Sequence, residues 1–291
     1  MSDSCRVADA TILVSTYNRP AALERVFEGL AAQSLHASQI IVGDDGSTHE
    51  TATVIARWRD RGLPIEHCWH ADEGFRKSLI MNRAIEATRA RLAIFLDGDC
   101  VPLADFVRDH VAFHEAGHVL AGARILASKS YTERLEAGGV DIVGRGLAAW
   151  WLDRLRGRIN RAAPLLRLPD GGWRRRAPAR WQWVRGCNFS VATEALRRVD
   201  GFEEDITGWG LEDSELAVRL INAGLRVKSL RFAAPVIHLW HPESPRDRLA
   251  ENDLRLQATM NEHRIRAERG ISRHAAGGGA TDPAQTQIST L

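Results

Sequence analysis

The run Arg91-Leu92-Ala93-Ile94-Phe95-Leu96-Asp97-Gly98-Asp99-Cys100-Val101-Pro102 constrains this chain more than any other stretch. Leu92 to Leu96 is apolar without a gap, too short for a helix, and closed by a turn signal. A strand of a parallel sheet has that composition, because helices cover both of its faces. The strand runs directly into two carboxylates separated by one glycine, and Pro102 ends the turn. Open α/β sheets collect ligands at the carboxyl ends of their strands. Two acids free of the ladder there can hold a divalent cation through oxygen. Taken alone, the same acids are equally a solvated Asp-Gly turn.

The flanking sequence supplies what such a strand needs. Thr11 to Thr16 is a β-branched strand, followed by the loop Tyr17-Asn18-Arg19-Pro20, with Pro20 suited to a first helical turn. Leu23, Val26, Phe27 and Leu30 give Ala21 to Gln33 a helical period. Gln39 to Gly43 is a second strand, ending in Asp44-Asp45-Gly46-Ser47-Thr48. A helix over Thr51 to Arg61, a weaker strand over Ile65 to Trp69 and a helix over Ser78 to Thr88 lead into the central strand. The alternation predicts an α/β fold, a mostly parallel doubly wound sheet with helices on both faces. Further on, the pattern predicts a helix over Ala104 to Ala116, one strand over Val119 to Ser128 and another over Cys187 to Val191. Helices over Thr193 to Val199 and Leu211 to Ala223 follow, then short strands at Val227 to Leu230 and Pro235 to Leu239. Asp247 to Arg269 reads as a polar helix, and residues 270–291 as a disordered tail.

At 291 residues, 44% of them hydrophobic, the chain can bury a full core as one large or two fused domains. A formal charge of +2 implies no global polyanion partner, nucleic acid included. Cys5, Cys68, Cys100 and Cys187 are scattered, with no C-x-x-C pair and no zinc spacing, as expected of reduced thiols in a cytosolic protein. The polar first residues hold no signal peptide, and no apolar run is long enough to span a bilayer. The expected location is cytoplasmic, including the inner membrane face as a peripheral site. Residues 140–185 stand apart: eleven arginines against three aspartates, with Trp150, Trp151, Trp173, Trp181 and Trp183 among them. They read as a mobile lid, as a peripheral membrane contact, or as a merely solvated basic face.

Two further stretches carry chemistry. In Gly208-Trp209-Gly210-Leu211-Glu212-Asp213-Ser214-Glu215, two glycines expose a flat ring beside acids that open a helix. First-turn acids are ordinary partners of the helix dipole, but that leaves the tryptophan between glycines unexplained. A flat aromatic beside carboxylates suits a sugar ring, and one carboxylate can serve as general base. In Ile237-His238-Leu239-Trp240-His241-Pro242, two histidines at the end of a strand can reach one metal with Asp99.

Together these motifs resemble a family 2 glycosyltransferase of the nucleotide-sugar-binding GT-A fold, over about Ala10 to Glu243. Val14 to Arg19 and Asp44 to Ser47 resemble its first two nucleotide loops, Phe75 to Asn82 its third, and Asp97-Gly98-Asp99 its metal motif. Val184 to Leu216 and His238 to His241 resemble the carboxyl-terminal half of β-1,4-galactosyltransferases and bacterial chondroitin polymerases. The resemblance implies an inverting, metal-dependent transferase. It would move a sugar, of galactose or N-acetylgalactosamine type by preference, from a UDP-sugar donor to a polysaccharide or lipid-linked oligosaccharide acceptor. Residues 1–103 would be the nucleotide-sugar half and 104–246 the acceptor and catalytic half of one domain, followed by a helix over 247–269.

By the same resemblance, Thr16, Tyr17 and Arg19 would line the uridine pocket, Asp44 would accept from the uracil imide, and Arg76 would lie nearby. Asp97 would meet the ribose or the metal's water shell. Asp99, His241 and His238 would ligate manganese, or magnesium, His238 standing where animal galactosyltransferases have methionine. Trp209 and Glu212 would hold the acceptor, and Asp213 would be the catalytic base. Leu211 stands in place of a glycine, and Met81 in place of a common arginine. A metal-dependent nucleotidyltransferase is the rival enzyme reading, but it leaves Gly208 to Asp213 without a role. A non-catalytic polyanion- or membrane-binding protein, using the Arg/Trp segment, needs neither Asp99 nor the histidines.

Overall fold

The computed structural model describes residues 7–276 and 286–289. The first half follows the predicted alternation: β1 (Val7–Thr16), α1 (Pro20–Ala31), β2 (His36–Asp44), α2 (His49–Asp60), β3 (Ile65–His70), α3 (Lys77–Glu86) and β4 (Leu92–Asp97). There follow β5 (Cys100–Pro102), α4 (Phe106–Phe113), β6 (His118–Ala121), β7 (Arg124–Leu126), α5 (Lys129–Glu136) and α6 (Leu147–Leu155). The chain ends with β8 (Asn188–Ala192), α7 (Thr193–Arg198), α8 (Glu212–Asn222), β9 (Arg226–Ser229), β10 (Val236–His238), α9 (Leu249–Asn261), α10 (Ser272–Ala276) and β11 (Thr286–Ser289).

Eight strands form one sheet in the order β11-β3-β2-β1-β4-β8-β6-β9, and β5-β10-β7 form a small second sheet. β3, β2, β1 and β4 are mutually parallel, while β8 lies antiparallel between β4 and β6. Alternation along β4 divides its side chains between two cores. Leu92, Ile94 and Leu96 join α1, α2 and the small sheet, and Ala93 and Phe95 join α3, α7 and α8. Phe95 stacks on its cross-strand partner Phe189 at 4.1 Å. The register Ser15 to Asp97 and Thr16 to Asp44 brings three strand ends to one edge.

The structure departs from the sequence reading in five places. The strand expected over Val119 to Ser128 is two strands in different sheets. Gly122 donates to the Asn188 carbonyl at 2.9 Å, and a Cβ there would lie 2.0 Å from Asn188 Oδ1. The Asn188 amide donates to the carbonyls of Ala123 and Ala234, turning the chain from the large sheet into the small one. Helices α5 and α6 both lie in stretches with no predicted element. The helix expected to reach Arg269 stops at Asn261, before the left-handed His263. Residues 270–276 are not tail: Ser272 donates twice to Asp200, and His274 bridges Glu86 and Glu204. Those partners lie far away in sequence, which is why local composition misread them. Residues 286–289 of the expected tail form β11, antiparallel to β3, and the rest of it, 277–285 and 290–291, lies outside the described residues.

The fifth departure is the basic segment. Arg174 is fully buried and donates to the carbonyls of Leu168, Pro169, Ser229 and Arg231. Arg175 pairs with Glu115 and Asp170, Arg167 with Asp105 and Asp109, and Arg145 and Arg158 both with the buried Asp153. Five of the eleven arginines thus close loops internally, so Arg174 and Arg175 are fold residues and no basic face. Among the described residues no helix is long and apolar enough to cross a membrane.

Candidate active site

Gly98 permits the turn at the end of β4. Its N–H donates to the Ser15 carbonyl at 2.7 Å, and a Cβ would lie 2.9 Å from that oxygen and from Thr16 Oγ1. The turn separates Asp97 and Asp99 into two environments. Asp97 accepts from Ser15 Oγ at 2.7 Å and from Lys77 Nζ at 2.9 Å. The Lys77 ammonium also lies 3.4 Å from Glu212 Oε1, so it joins β4 to the first turn of α8. Burial opposes the charge on Lys77, but Asp97 and Glu212 outweigh it and hold its pKa well above the ordinary value. Burial likewise works against ionised Asp97, yet Lys77 and Ser15 keep its carboxyl below the usual range. Glu212 is raised by burial, with Lys77 opposing.

Asp99 faces the small sheet. Its Oδ2 lies 3.0 Å from Arg19 and 3.4 Å from His241 Nε2, and its Oδ1 lies 3.8 Å from His238 Nε2. The imidazole centroids are 5.2 Å apart. Burial lowers the His238 pKa despite Asp99, which keeps the ring neutral as a ligand must be. One carboxylate and two imidazoles are a donor set that fits a divalent transition-metal cation with water completing its shell. Arg19 also reaches Glu136 and the Trp240 carbonyl, so its guanidinium sits at the Asp99 corner and not beside Asp44.

Asp44 is fully buried, its oxygens engaged by the Ser47 N–H at 2.8 Å and His67 at 3.0 Å. Arg76 binds Asp45, Glu73 and the Ala71 carbonyl. Tyr17 is 49% exposed and donates to Asp72. Thr16 Oγ1 and Arg76 Nε are buried without a partner among the described residues, two polar atoms free for a ligand.

On the other rim, Gly208 donates to the Phe75 carbonyl at 3.3 Å, and Asn252 of α9 holds the carbonyls of Thr207 and Gly210. This loop leaves Trp209 39% exposed, with Arg246 5.4 Å from its ring. Leu211, at φ 75°, keeps the left-handed conformation a glycine would take for free. Asp213 accepts from the Gly186 N–H at 2.7 Å and from Ser214 Oγ at 3.2 Å.

Asp97 and Glu212 therefore meet at Lys77, with Asp213 next in sequence, while Asp99 meets His238 and His241 just past the same strand end; Thr16 ends β1 and Tyr17 follows it. Sequence reasoning missed Lys77, Glu136, Gly186 and Asn252. For Lys77 a signal existed: only Lys77, Lys129 and Lys228 are lysines among 39 basic residues.

The family described as "Glycosyl transferase family 2" matches residues 11–164, and that described as "N-terminal domain of galactosyltransferase" matches residues 175–242. The chain is 29% identical over 283 residues to validoxylamine A glucosyltransferase of Streptomyces hygroscopicus subsp. jinggangensis, covering 91% of this chain and 60% of that one. It is 26% identical over 258 residues to hyaluronan synthase of Pasteurella multocida, covering 81% of this chain and 24% of the synthase. The chain thus spans at most 60% of the length of these curated relatives. The crystal structure of S. aureus TarS 1-349 in complex with UDP shares the fold, with a TM-score of 0.59 at 15% identity over 91% of this chain and 68% of that one.

Proposed function

The chain belongs to glycosyl transferase family 2, and from that premise we propose that it transfers one sugar from a UDP-sugar to an acceptor hydroxyl with inversion. It is a transferase of GT-A fold, which sets aside the nucleotidyltransferase and the non-catalytic readings. The observation that carries the finer reading is the continuous set Asp97–Lys77–Glu212, with Asp213 next in sequence. It couples the acidic strand end, on the donor side, to the acids that face an acceptor.

A uridine nucleotide fits Tyr17 as a stacking ring and the unpartnered Thr16 Oγ1 and Arg76 Nε as polar contacts. The UDP in the TarS complex supports that donor class. Asp44 acts on uracil only by releasing Ser47 or His67. The sugar is a hexose: the sequence motifs favour galactose or N-acetylgalactosamine, while the first relative is named for glucose. The acceptor is a glycan or lipid-linked glycan, held at Trp209 and Glu212.

Asp213 performs the proton transfer. Its Oδ2 is fixed by the Gly186 N–H, leaving Oδ1, which Ser214 touches, to take the acceptor hydroxyl proton. As the O–H proton goes to Asp213, the acceptor oxygen bonds the anomeric carbon. The bond to the UDP oxygen breaks on the opposite face, so an α-linked donor gives a β-linked product. Glu212, held near Lys77, orients the acceptor without taking the proton. Manganese or magnesium held by Asp99, His238 and His241 would neutralise charge on the departing diphosphate.

For the membrane, the reading narrows from residues 140–185 to α6. Leu147, Trp151 and Leu155 recur at four-residue spacing and are exposed, Leu155 at 81%, with Arg154 and Arg156 exposed beside them. An apolar stripe edged by arginines suits an anionic bilayer surface. Wild type would sediment with anionic vesicles and Leu155→Asp would not; no wild-type binding removes the contact.

UDP release from a panel of UDP-sugars, in manganese, magnesium or chelator, tests the whole reading. Metal-dependent turnover of one donor is the expected result. No turnover of any donor, together with no UDP binding by calorimetry, overturns it.

A further inference from the structure

The floor beneath the Asp99 cation corner is sulfur. Cys100 opens β5 and is the direct antiparallel partner of His238 on β10, so their side chains share one face. One donor atom each from Asp99, Cys100 and His238 lie within 4.8 Å of one another. The same holds for Asp97, Cys100 and Cys187, so Cys100 is common to both groups. Cys187 stands just before β8, beside the acidic turn. Both thiols are buried and reduced, whereas the side chains of Asp99 and His241 are 15% and 29% exposed. An ion therefore enters at a hard oxygen and nitrogen rim and meets a soft floor.

We propose that Cys100 and Cys187, with His238 and an aspartate, form a thiophilic subsite that draws zinc inward from the Asp99 rim and thereby inhibits the enzyme. Hard cations such as manganese and magnesium prefer the carboxylate and water of the rim, while thiolate selects zinc. A tetrahedral zinc with bonds of about 2.0–2.3 Å needs donor atoms roughly 3.3–3.8 Å apart. The donor atoms of each group lie within 4.8 Å of one another and would have to draw closer to reach that spacing. On binding, each thiol gives its proton to solvent and its sulfur to the metal. Cys100 Sγ donates to Asp99 Oδ1 at 3.5 Å and Cys187 bonds to Arg124, contacts that zinc would replace. The inhibition, though not the binding, rests on the cation reading of Asp99, His238 and His241.

Cobalt spectroscopy on the whole reduced protein separates the two. Cobalt added to wild type should give a near-ultraviolet sulfur-to-cobalt charge-transfer band that one equivalent of zinc removes. Cys187→Ser should lose about half of that band and weaken zinc binding roughly 10–100-fold, and Cys100→Ala should do likewise. Cys68→Ser should change neither. In the UDP-release assay, Cys187→Ser should retain manganese-supported turnover and tolerate correspondingly more zinc. A sulfur band without any transferase activity would preserve the site while sinking the cation reading. Absence of the band, or a band unchanged in both Cys187→Ser and Cys100→Ala, overturns the proposal, as does zinc inhibition of equal potency in Cys187→Ser.

Discussion

Replacing Lys77 with methionine shortens the side chain by one atom and removes the ammonium between Asp97 and Glu212. The Lys77 side chain is 17% exposed, Glu212 9% and Asp97 26%. Breaking a buried pair costs about 3–5 kcal/mol, because the surviving charge stays buried without a partner. The partial exposure of Asp97 lets water recover some of that, so the expected loss at neutral pH is roughly 2–4 kcal/mol. In a chain of this size each kcal/mol lowers Tm by about 2–4 °C, giving a fall of roughly 5–15 °C. The pH dependence has a definite sign. Asp97 has a depressed folded pKa, so its contribution is present above its unfolded value of about 3.9 and is lost as pH falls through the folded one. Without Lys77 that contribution vanishes. Glu212, already raised by burial, rises further and takes up a proton at milder acidity. The penalty of Lys77→Met is therefore greatest at neutral pH and shrinks as pH falls through the carboxylate range. Urea unfolding of both proteins at pH 7 and at about pH 3 measures it. A penalty below about 1 kcal/mol at neutral pH, or one as large in acid, would refute the reasoning.

Asp213→Asn should lower transfer about 10²–10⁴-fold while UDP affinity by calorimetry is unchanged; near-wild-type turnover removes Asp213 as the base. Gly122→Ala should destabilise by about 1–3 kcal/mol, because its methyl meets the Asn188 amide that turns the chain between sheets. Urea unfolding checks this, and an unchanged midpoint would contradict the close approach. Hydrogen bonds to Glu204 and Glu86 push the His274 pKa up to about 9. The stability it contributes is full below its unfolded value of about 6.5 and is lost as pH rises through the folded one. Unfolding midpoints at neutral and alkaline pH should therefore differ more in wild type than in His274→Gln; equal differences would remove the assignment.

The half of the molecule built from local pattern was legible in the sequence. Unbroken β-branched runs, helical spacing and the acid-rich strand ends marked β1 to β4, α1 to α3 and the edge where those strand ends meet. The failures all depend on what arrives from elsewhere. Nothing local marks α5 as the element that delivers Glu136 to Arg19. Gly122 did mark a break, but only Asn188, 66 positions later (188 − 122), makes it necessary. Counting arginines over 140–185 suggested a basic face, because a sequence does not reveal that four carbonyls converge on Arg174. The candidate ligands Asp99, His238 and His241 came from motif and resemblance, and the geometry brings them together. Arg19, expected at uridine, is drawn away by Asp99 and Glu136, and Lys77 was a rare residue type whose rarity went unread.

The antiparallel insertion of β8 has a consequence for anyone building hybrids. The chain can be divided on paper near residue 103, yet β4 keeps β1 on one flank and β8 on the other, with five residues from Leu92 to Leu96 paired to Asn188–Ala192. A fragment ending at the paper boundary would bare that apolar flank as a template for intermolecular strand pairing. Acceptor preferences therefore cannot be traded between homologues as detachable cassettes. A workable graft must carry β8, its Phe189 stack on Phe95 and the Asn188 hinge as one inherited piece, and leave the seam in the exposed chain on either side.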